Sequence, residues 1–253
     1  MNTFLRMAVL ATALCSGTQA ALADDIVSET RPVDARATRI NLDGLVSLKL
    51  KQGPTASLTL YGEKRYLQKV TAIQNGDTLR IDSDLKNTRM NKSELRAELT
   101  LPNLRELASG GVGSAEVSGF SGEDLRIALN GAGSVKVASE HKNVSAKLGG
   151  VGSMAIKVGN SDNVDLNLSG AGQIEISGQS KVLHANLGGV GSLDAQQLKA
   201  DSVDVNLSGL GSASVYARNA ANMKLSGMGS ATVYGKPATR NSSARGMGSV
   251  SWQ

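Results

Sequence analysis

The stretch "LGGVGS" at residues 148–153 decides the fold, because near-identical stretches recur to the end of the chain. Aligned on the first glycine of each Gly-x-Gly, the copies are 18–20 residues apart. A fixed period of this length is typical of stacked repeat proteins, whose units bury one face against their neighbours. We predict that these glycines are structural turns, and in chain order they are Gly111, Gly113, Gly131, Gly133, Gly150, Gly152, Gly170, Gly172, Gly189, Gly191, Gly209, Gly211, Gly227, Gly229, Gly246 and Gly248.

The segments between the turns have the pattern of β-strands. The runs "SVKVAS" (134–139), "SMAIKV" (153–158) and "NVDLNLS" (163–169) alternate apolar and polar residues and are bounded by Gly, Asn and Ser. Such alternation is typical of strands with one buried face. The sequence therefore predicts an all-β solenoid with 19–20-residue repeats, whose strands stack about 4.8 Å apart.

A second periodicity leaves the size of one coil open. The longer string "GGVGS" begins at Gly110, Gly149 and Gly188, so it recurs every 39 residues. If one coil takes a single unit, eight coils span roughly 38 Å. If one coil takes the doubled unit, the solenoid is half as long and wider. We favour the shorter coil.

Glycine suits the corner of a solenoid, because it tolerates positive φ and close stacking of backbones. The residue between the two glycines is apolar in every copy, which favours an inward orientation. These residues are Val112, Ala132, Val151, Ala171, Val190, Leu210, Met228 and Met247. Serines follow most of the turns, and we expect them to form a ladder that is hydrogen-bonded from coil to coil. They are Ser114, Ser134, Ser153, Ser192, Ser212, Ser230 and Ser249.

The segment that precedes the repeat is also rich in strand patterns. Runs at 38–62 and 67–84 contain Gly-Pro and Asn-Gly turn signals, and the run at 93–107 leads into the first glycine turn. An N-terminal cover is expected, because an open solenoid end exposes unpaired strand edges. We therefore divide the mature chain into an N-terminal β-rich cap at 24–108 and the repeat at 109–253.

Residues 1–23 have the features of a secretory signal peptide. Arg6 precedes an apolar run at 7–15, and "ALA" at 21–23 is a small-x-small cleavage site. Cleavage before Asp24 predicts an exported protein, located in the periplasm, on the outer surface or outside the cell. It also removes Cys15, the only cysteine, so the mature chain would hold no disulfide or thiolate site. No later apolar run reaches the roughly 20 residues of a membrane-spanning helix.

The charge distribution does not indicate a nucleic-acid partner. The net charge is +5, and basic residues crowd at Lys86, Arg89 and Lys92. No aromatic residues interleave with them as stacking platforms for bases, so we interpret this segment as a solvated loop.

Motifs for cofactor binding and nucleophilic catalysis do not occur in the sequence. The Gly-x-Gly turns lack the Gly-Lys-Ser/Thr of a nucleotide loop and the period of calcium-binding repeats. There is no G-x-S-x-G elbow, and both histidines, His141 and His184, are expected at the surface. We therefore predict no cofactor, no metal and no catalytic residue.

A glycan-active enzyme, either a polysaccharide lyase or a hydrolase, is the alternative. Asp165 and Asp204 are 39 residues apart, so they would stack directly if the doubled unit is one coil. Paired carboxylates bind calcium or perform acid–base chemistry on sugars. The carboxylates that would line one face of the solenoid are Asp162, Asp165, Asp194, Asp201 and Asp204.

The order of the motifs resembles one bacterial family of unknown function. "LTLPNLRELASGGVGS" (99–114) enters the repeat, and "LSGMGSATVYGKPATRNSSARGMGSV" (225–250) closes it. This order is similar to the GIN domains, described as heads of autotransporter adhesins, over residues 38–253. The resemblance implies a right-handed parallel β-helix-like solenoid, exported to the envelope of a Gram-negative bacterium. The adhesin description rests on structural analogy, so no functional residue is carried over.

These expectations define a non-enzymatic, exported module that is adhesin-like or acts as a scaffold. Its partner would be a macromolecule, either a protein or a glycan, bound along a β-face. Self-association through the solenoid ends is a further role that the sequence leaves open.

Overall fold

The computed structural model describes residues 26–85 and 95–253. Strands make up 76% of the described residues and helix 2%, and the parallel strands stack into a β-solenoid of about seven turns. The predicted all-β solenoid is confirmed. The predicted signal peptide at 1–23 and the basic residues at 86–92 lie outside the described residues.

Within the described residues 26–85 and 95–109, the N-terminal part of the chain contains eight strands and one short helix. Their bounds are β1 (Ile26–Arg31), β2 (Arg39–Leu42), β3 (Ser47–Gln52), β4 (Ser57–Glu63), α1 (Lys64–Leu67), β5 (Val70–Asn75), β6 (Thr78–Ser83), β7 (Arg96–Leu101) and β8 (Glu106–Ser109). Strand β2 lies in parallel between β6 and β8, and β3 lies in parallel beside β7. Beyond them the pairing becomes antiparallel, with β4 on β7, β5 on β6, and β1 on β4.

The repeat region consists of long strands that each form one coil. They are β9 (Val112–Leu129), β10 (Ala132–Leu148), β11 (Val151–Leu168), β12 (Ala171–Leu187), β13 (Val190–Leu207) and β14 (Leu210–Leu225). In the parallel pair of β10 and β11, Ala132 lies opposite Val151 and Leu148 lies opposite Leu168. The shorter coil is therefore confirmed, with one glycine turn in each coil.

Each coil has two faces that meet at two corners. The first face follows the glycine turn, and the second face leads to the next one. Shifts of register fall between the two faces, for example at Ser139/Asn143 and at Ala195/Lys199. This second corner absorbs the differences in repeat length, so the glycine corner stays aligned from coil to coil.

Three shorter strands complete the C-terminal end of the solenoid. They are β15 (Met228–Tyr234), β16 (Thr239–Ala244) and β17 (Ser249–Trp252). Strands β15 and β16 pair with the two halves of β14, and β17 pairs with β15. Trp252 lies opposite the fully buried Val233, and the guanidinium of Arg240 lies 5.6 Å from the centre of the indole ring. The Arg240–Trp252 pair therefore covers this end of the core.

The core is a narrow column of mostly aliphatic side chains. Inward positions alternate with outward ones along every coil, as in Val164, Leu166 and Leu168 of β11. Two aromatic side chains are exceptions, because Phe120 fills the second corner of β9 and Tyr66 is buried below the solenoid. Since one face of each strand packs inward, the remaining side chains form regular columns on the outside.

Candidate functional site

The glycine corner brings the backbones of successive coils too close for side chains. A Cβ atom placed on Gly150 would lie well inside 3.0 Å of the carbonyl oxygen of Gly131. Gly152 has φ of +148°, and its Cβ would meet the carbonyl of Gly133 in the same way. At this corner the Val151 N–H donates to the Gly131 carbonyl over 2.9 Å. The two glycine columns let each coil dock directly on the one before it.

The close approach continues along the glycine columns and relaxes only at the C-terminal end. It begins where Gly111 stacks on Gly44, a corner that precedes the repeat in the sequence. At Gly246 and Gly248 an added Cβ would lie 3.0 Å from the nearest backbone oxygen. Sequence periodicity could not reveal Gly44, because strands β3 to β8 lie between it and Gly111 in the chain.

The residues between the paired glycines point into solvent, so the predicted inward orientation is wrong. Val151 is 62% exposed and Met247 is 80% exposed. The reason is strand alternation: the glycines on both sides occupy the crowded positions, and the residue between them takes the opposite side. We call this column the apolar ridge, and it consists of Val112, Ala132, Val151, Ala171, Val190, Leu210, Met228 and Met247.

The serine column beside the apolar ridge is aligned from coil to coil but is mostly not hydrogen-bonded. Ser134 lies between Ser114 and Ser153 in the parallel register. The Ser114 hydroxyl donates to the Ser47 hydroxyl over 3.3 Å. No other serine of this column bonds to its neighbour in residues 26–85 and 95–253, so the predicted ladder is limited to that pair.

The second face carries asparagine and aspartate side chains that bond from coil to coil. The Asn163 amide donates to the Asn143 carbonyl oxygen over 2.9 Å, and the Asn143 amide donates to Asp124 over 3.0 Å. The Asn206 amide likewise donates to Asn186 over 3.1 Å.

A further ladder runs to the C-terminal end of the second face. The Asn241 amide donates to Asn222, and the Asn222 amide donates to Asp204, each over 2.7 Å. Such ladders fix the orientation of side chains that would otherwise rotate freely in water. We call these columns the amide face, and it consists of Asp124, Asn143, Asn163, Asn167, Asn186, Asp204, Asn206, Asn222 and Asn241.

The carboxylates of the enzyme alternative do not stack as a pair. Asp165 lies opposite His184, and His184 lies opposite Asp204. The imidazole therefore separates the two carboxylates, because a coil takes one repeat unit and not two. His184 is exposed as predicted, and its Nδ1 lies 3.4 Å from Asp204 Oδ2.

The other three carboxylates have separate partners. Lys181 lies 2.6 Å from Asp162, and this hydrogen bond holds the pKa of the carboxyl below its usual range. Asp201 pairs with Arg218 over 3.1 Å. Asp194 accepts from the Gln196 backbone N–H over 3.2 Å. In the described part of the chain, no three His, Cys, Asp or Glu residues form a group that could hold a metal ion.

His141 is buried at the second corner, so its predicted surface position is wrong. It is 1% exposed, and its Nε2 lies 3.2 Å from the Leu104 carbonyl oxygen. The ring packs over Gly122, where a Cβ would lie 3.1 Å from His141 Cδ2. Burial lowers the pKa of His141, so the imidazole is neutral near pH 7. Alternation could have revealed this, because His141 continues the inward series of Val137 and Ser139.

A polar cleft of about 580 Å³ lies beside His141, where β8 meets the first coil. Arg39 lies 3.9 Å from Glu106, and Glu123 lies 2.7 Å from Lys142. The cleft thus combines cations and carboxylates that neutralise one another. Its charged side chains are Arg39, Arg105, Arg126, Glu106, Glu123 and Asp124.

The molecule is therefore a β-solenoid with an aliphatic core, a hydrogen-bonded amide face and an exposed apolar ridge. None of the helices among the described residues has the length and apolar character needed to cross a membrane. The chain belongs to the family described as "Putative auto-transporter adhesin, head GIN domain", whose sequence pattern matches residues 37–237. The resemblance stated from the sequence is thereby confirmed.

Solved structures of proteins from Parabacteroides distasonis and Bacteroides fragilis have the same fold. A putative adhesin from Parabacteroides distasonis is 18% identical with a TM-score of 0.80, covering 90% of this chain and 97% of that one. A putative lipid binding protein from the same species is 22% identical with a TM-score of 0.78, covering 89% and 96%. A putative adhesin from Bacteroides fragilis is 18% identical with a TM-score of 0.71, covering 90% and 97%. Comparison with curated proteins gives no match.

Proposed function

We propose that this protein is an exported, adhesin-like binding module of the bacterial envelope that contacts its macromolecular partner through the amide face. The observation that carries the proposal is the regular array of oriented amides on the second face. Family membership supports an adhesin-like role. The signal-peptide features of residues 1–23 support export.

The chemistry of the amide face favours a hydroxyl-rich polymer, namely a glycan. An amide has two N–H donors and a carbonyl acceptor, so a ladder that uses part of this capacity leaves the rest for a ligand. Asn167, Asn186 and Asn206 occupy successive coils and are exposed. Their spacing of about 4.8 Å places such groups at a constant step along the solenoid. A polymer that follows the face can therefore make many weak contacts at once.

The arrangement of the carboxylates argues against the glycan-active enzyme. Acid–base cleavage of a glycosidic bond needs two carboxyl groups about 5–10 Å apart, facing one substrate bond. Here Asp162 and Asp201 are each held by a cation. Asp165 and Asp204 lie two coils or about 9.6 Å apart, at the upper end of this range. However, the imidazole of His184 lies between them, where the substrate bond would have to sit, and its Nδ1 contacts Asp204. We therefore infer that the face binds its partner without cleaving it.

The proposal is tested by screening the purified secreted protein on arrays of bacterial and host glycans. The double variant Asn186→Leu/Asn206→Leu removes two exposed amides in neighbouring coils, and we expect about a tenfold loss of retention on the glycans bound. Lys136→Leu/Glu175→Leu is the matched control, because it removes two exposed polar side chains from the first face without changing the net charge. The absence of binding to any glycan or bacterial surface would contradict the proposal, as would equal losses in both variants.

A further inference from the structure

We propose that the apolar ridge is the contact surface through which two copies of this chain associate, with their ridges packed against each other. This inference goes beyond the proposed function, because the ridge uses different residues from the amide face. An exposed column of large apolar side chains is uncommon on a monomer and marks an interaction surface.

The ridge is continuous along the repeat. Its valine, leucine and methionine side chains are 44–80% exposed. In the parallel register Val151 lies between Ala132 and Ala171, and Leu210 lies between Val190 and Met228. From Val112 to Met228 the column takes six steps of about 4.8 Å, which gives a length of about 29 Å.

The margins of the ridge are formed mostly by small, uncharged residues. Two residues before each ridge position lie Gly110, Asn130, Gly149, Ser169, Gly188, Ser208, Ser226 and Arg245. Two residues after each position lie Ser114, Ser134, Ser153, Gln173, Ser192, Ser212, Ser230 and Ser249. Only Arg245, at the C-terminal end, is charged. Two charged side chains from neighbouring columns reach this margin, because an added Cβ on Gly110 would lie 2.5 Å from Asp43 Oδ1 and one on Gly149 would lie 3.7 Å from Lys147 Cε. Asp43 is already paired with Arg80 over 2.9 Å, so removing the strip from water desolvates few charges.

From Val112 to Val190 the sizes of the ridge residues alternate, and this alternation favours a second copy over other occupants. Large Val112, Val151 and Val190 alternate with small Ala132 and Ala171. A valine of one copy can therefore fill the gap above an alanine of the other. The alternation repeats every two coils, which is the 39-residue period of the sequence. One coil takes only half of these 39 residues. The stacking of coils therefore does not by itself explain why large and small ridge residues alternate.

A two-fold axis between neighbouring coils satisfies this complementarity at the four central positions from Ala132 to Val190, while at each end Val112 faces Leu210 of the second copy. If the copies run antiparallel about an axis between Val151 and Ala171, each of these residues faces the other type in the second copy. Ala132 then faces Val190 of the second copy, and the reverse contact follows by symmetry. Because both ridges have the same step, the contacts stay in phase over the six positions from Val112 to Leu210.

The area of the strip sets the expected strength of association. The paired positions run from Val112 to Leu210, which is five steps or about 24 Å, and a strip of this length and three residue columns covers about 400 Å² per copy. The total of about 800 Å² lies below the roughly 1,000 Å² of a stable specific interface and in the range of weak, transient ones. We therefore expect a weak, reversible dimer with a dissociation constant on the order of 10–100 micromolar.

The test is sedimentation velocity of the purified secreted protein over a concentration series. We expect the sedimentation coefficient to rise from the monomer value to the dimer value with increasing concentration. Val151→Lys/Val190→Lys should abolish the rise, because four lysines would be buried in each dimer. The matched control Ser145→Lys/Ser202→Lys adds the same charge on the second face and should dimerise normally. Circular dichroism checks that all variants keep their strand content.

A second variant distinguishes complementary packing of the two ridges from non-specific hydrophobic association. Ala132→Leu/Ala171→Leu increases the apolar area but fills the gaps, and we expect it to weaken the dimer at least about fivefold. A protein that stays monomeric at every concentration would overturn the proposal. A dimer that persists in Val151→Lys/Val190→Lys would also overturn it, and so would a dimer that becomes stronger in Ala132→Leu/Ala171→Leu. Binding of a monomeric protein to phosphatidylglycerol vesicles, lost in the lysine variant, would instead assign the ridge to a lipid surface. Because glycan retention is measured separately, a failed dimer leaves the proposed function standing.

Discussion

Gly189 N–H donates to the Leu168 carbonyl over 3.1 Å, and an added Cβ on Gly189 would meet the backbone of Gly170 in the preceding coil. The neighbouring Gly188 is different, since its added Cβ would lie 3.6 Å from the nearest atom, Ser208 Oγ. Two adjacent glycines thus have opposite tolerance for a side chain. This contrast gives a test of how the glycine corner contributes to stability.

We expect Gly189→Ala to destabilise the solenoid by more than about 3 kcal/mol, because the methyl group would force two coils apart. Gly188→Ala should change the free energy of unfolding by less than about 1 kcal/mol. Urea denaturation followed by circular dichroism measures both. Equal stability of the two variants would show that the corner does not depend on close backbone contact.

One doubled unit should be removable without loss of the fold. Deleting residues 151–189 joins Gly150 to Val190 and restores the Gly-x-Gly pattern. The product should be a folded solenoid that is shorter by two coils, or about 10 Å. Small-angle X-ray scattering measures the maximum dimension. Deleting only residues 151–160 is the control, and it should disrupt the fold because it removes most of the first face of one coil and its Gly152, so that this coil can no longer stack on both neighbours.

The buried His141 should make stability depend on pH. Burial lowers its pKa in the folded state, while the Leu104 carbonyl and Asp124 oppose this effect more weakly. The unfolded chain takes up a proton near the ordinary histidine pKa of about 6.5, whereas the folded protein does so only at lower pH. The contribution is therefore fully present above about pH 6.5 and is lost as the pH falls below it.

The measurement is the urea midpoint of wild type and His141→Gln at about pH 7.5 and about pH 5. The loss of stability on acidification should be smaller in His141→Gln than in wild type. His184→Gln is the control, because that histidine is exposed. An identical pH dependence in wild type and His141→Gln would rule out this role of His141.

Trp252 should report on the C-terminal end of the core. It is the only tryptophan in the chain, and Arg240 lies over its ring. Arg240→Ala should shift the tryptophan emission to longer wavelength and cost about 0.5–1 kcal/mol. Arg218→Ala, which removes a surface ion pair with Asp201, is the control and should leave the emission unchanged. Unchanged emission in Arg240→Ala would mean that the arginine does not cover the ring in solution.

The export proposal predicts a mature chain that begins at Asp24. Intact-mass analysis of protein recovered from the periplasm or the medium would measure this directly. A mass that retains residues 1–23 would contradict cleavage at the "ALA" site.

Periodicity in the sequence predicted the coil and its corners because each unit repeats the same backbone geometry. The prediction of side-chain direction at the corner was wrong, because that direction follows from how many residues separate a position from the nearest buried one. Val151 lies three residues after the buried Leu148, so alternation places it outside, although its apolar character suggested the core. Hydrophobicity alone cannot show that flanking glycines have occupied the inner positions.

The amide ladders could not be found in the sequence for a different reason. Asn206 bonds to Asn186, and the two lie 20 residues apart, but this contact depends on the register after each second corner. That corner absorbs one to several residues in different coils. The sequence therefore showed that this face is polar. Which of its side chains are hydrogen-bonded to each other could be determined only from the structure.

The central claim is that the amide face binds a glycan and leaves it intact. The most direct measurement is the chain-length distribution of a retained polysaccharide after long incubation with the protein, compared with incubation with Asn186→Leu/Asn206→Leu. The account predicts retention by the wild type, loss of retention in the variant, and an unchanged distribution in both. Shortened chains that appear only with the wild type would identify the protein as a glycan-cleaving enzyme and contradict the account.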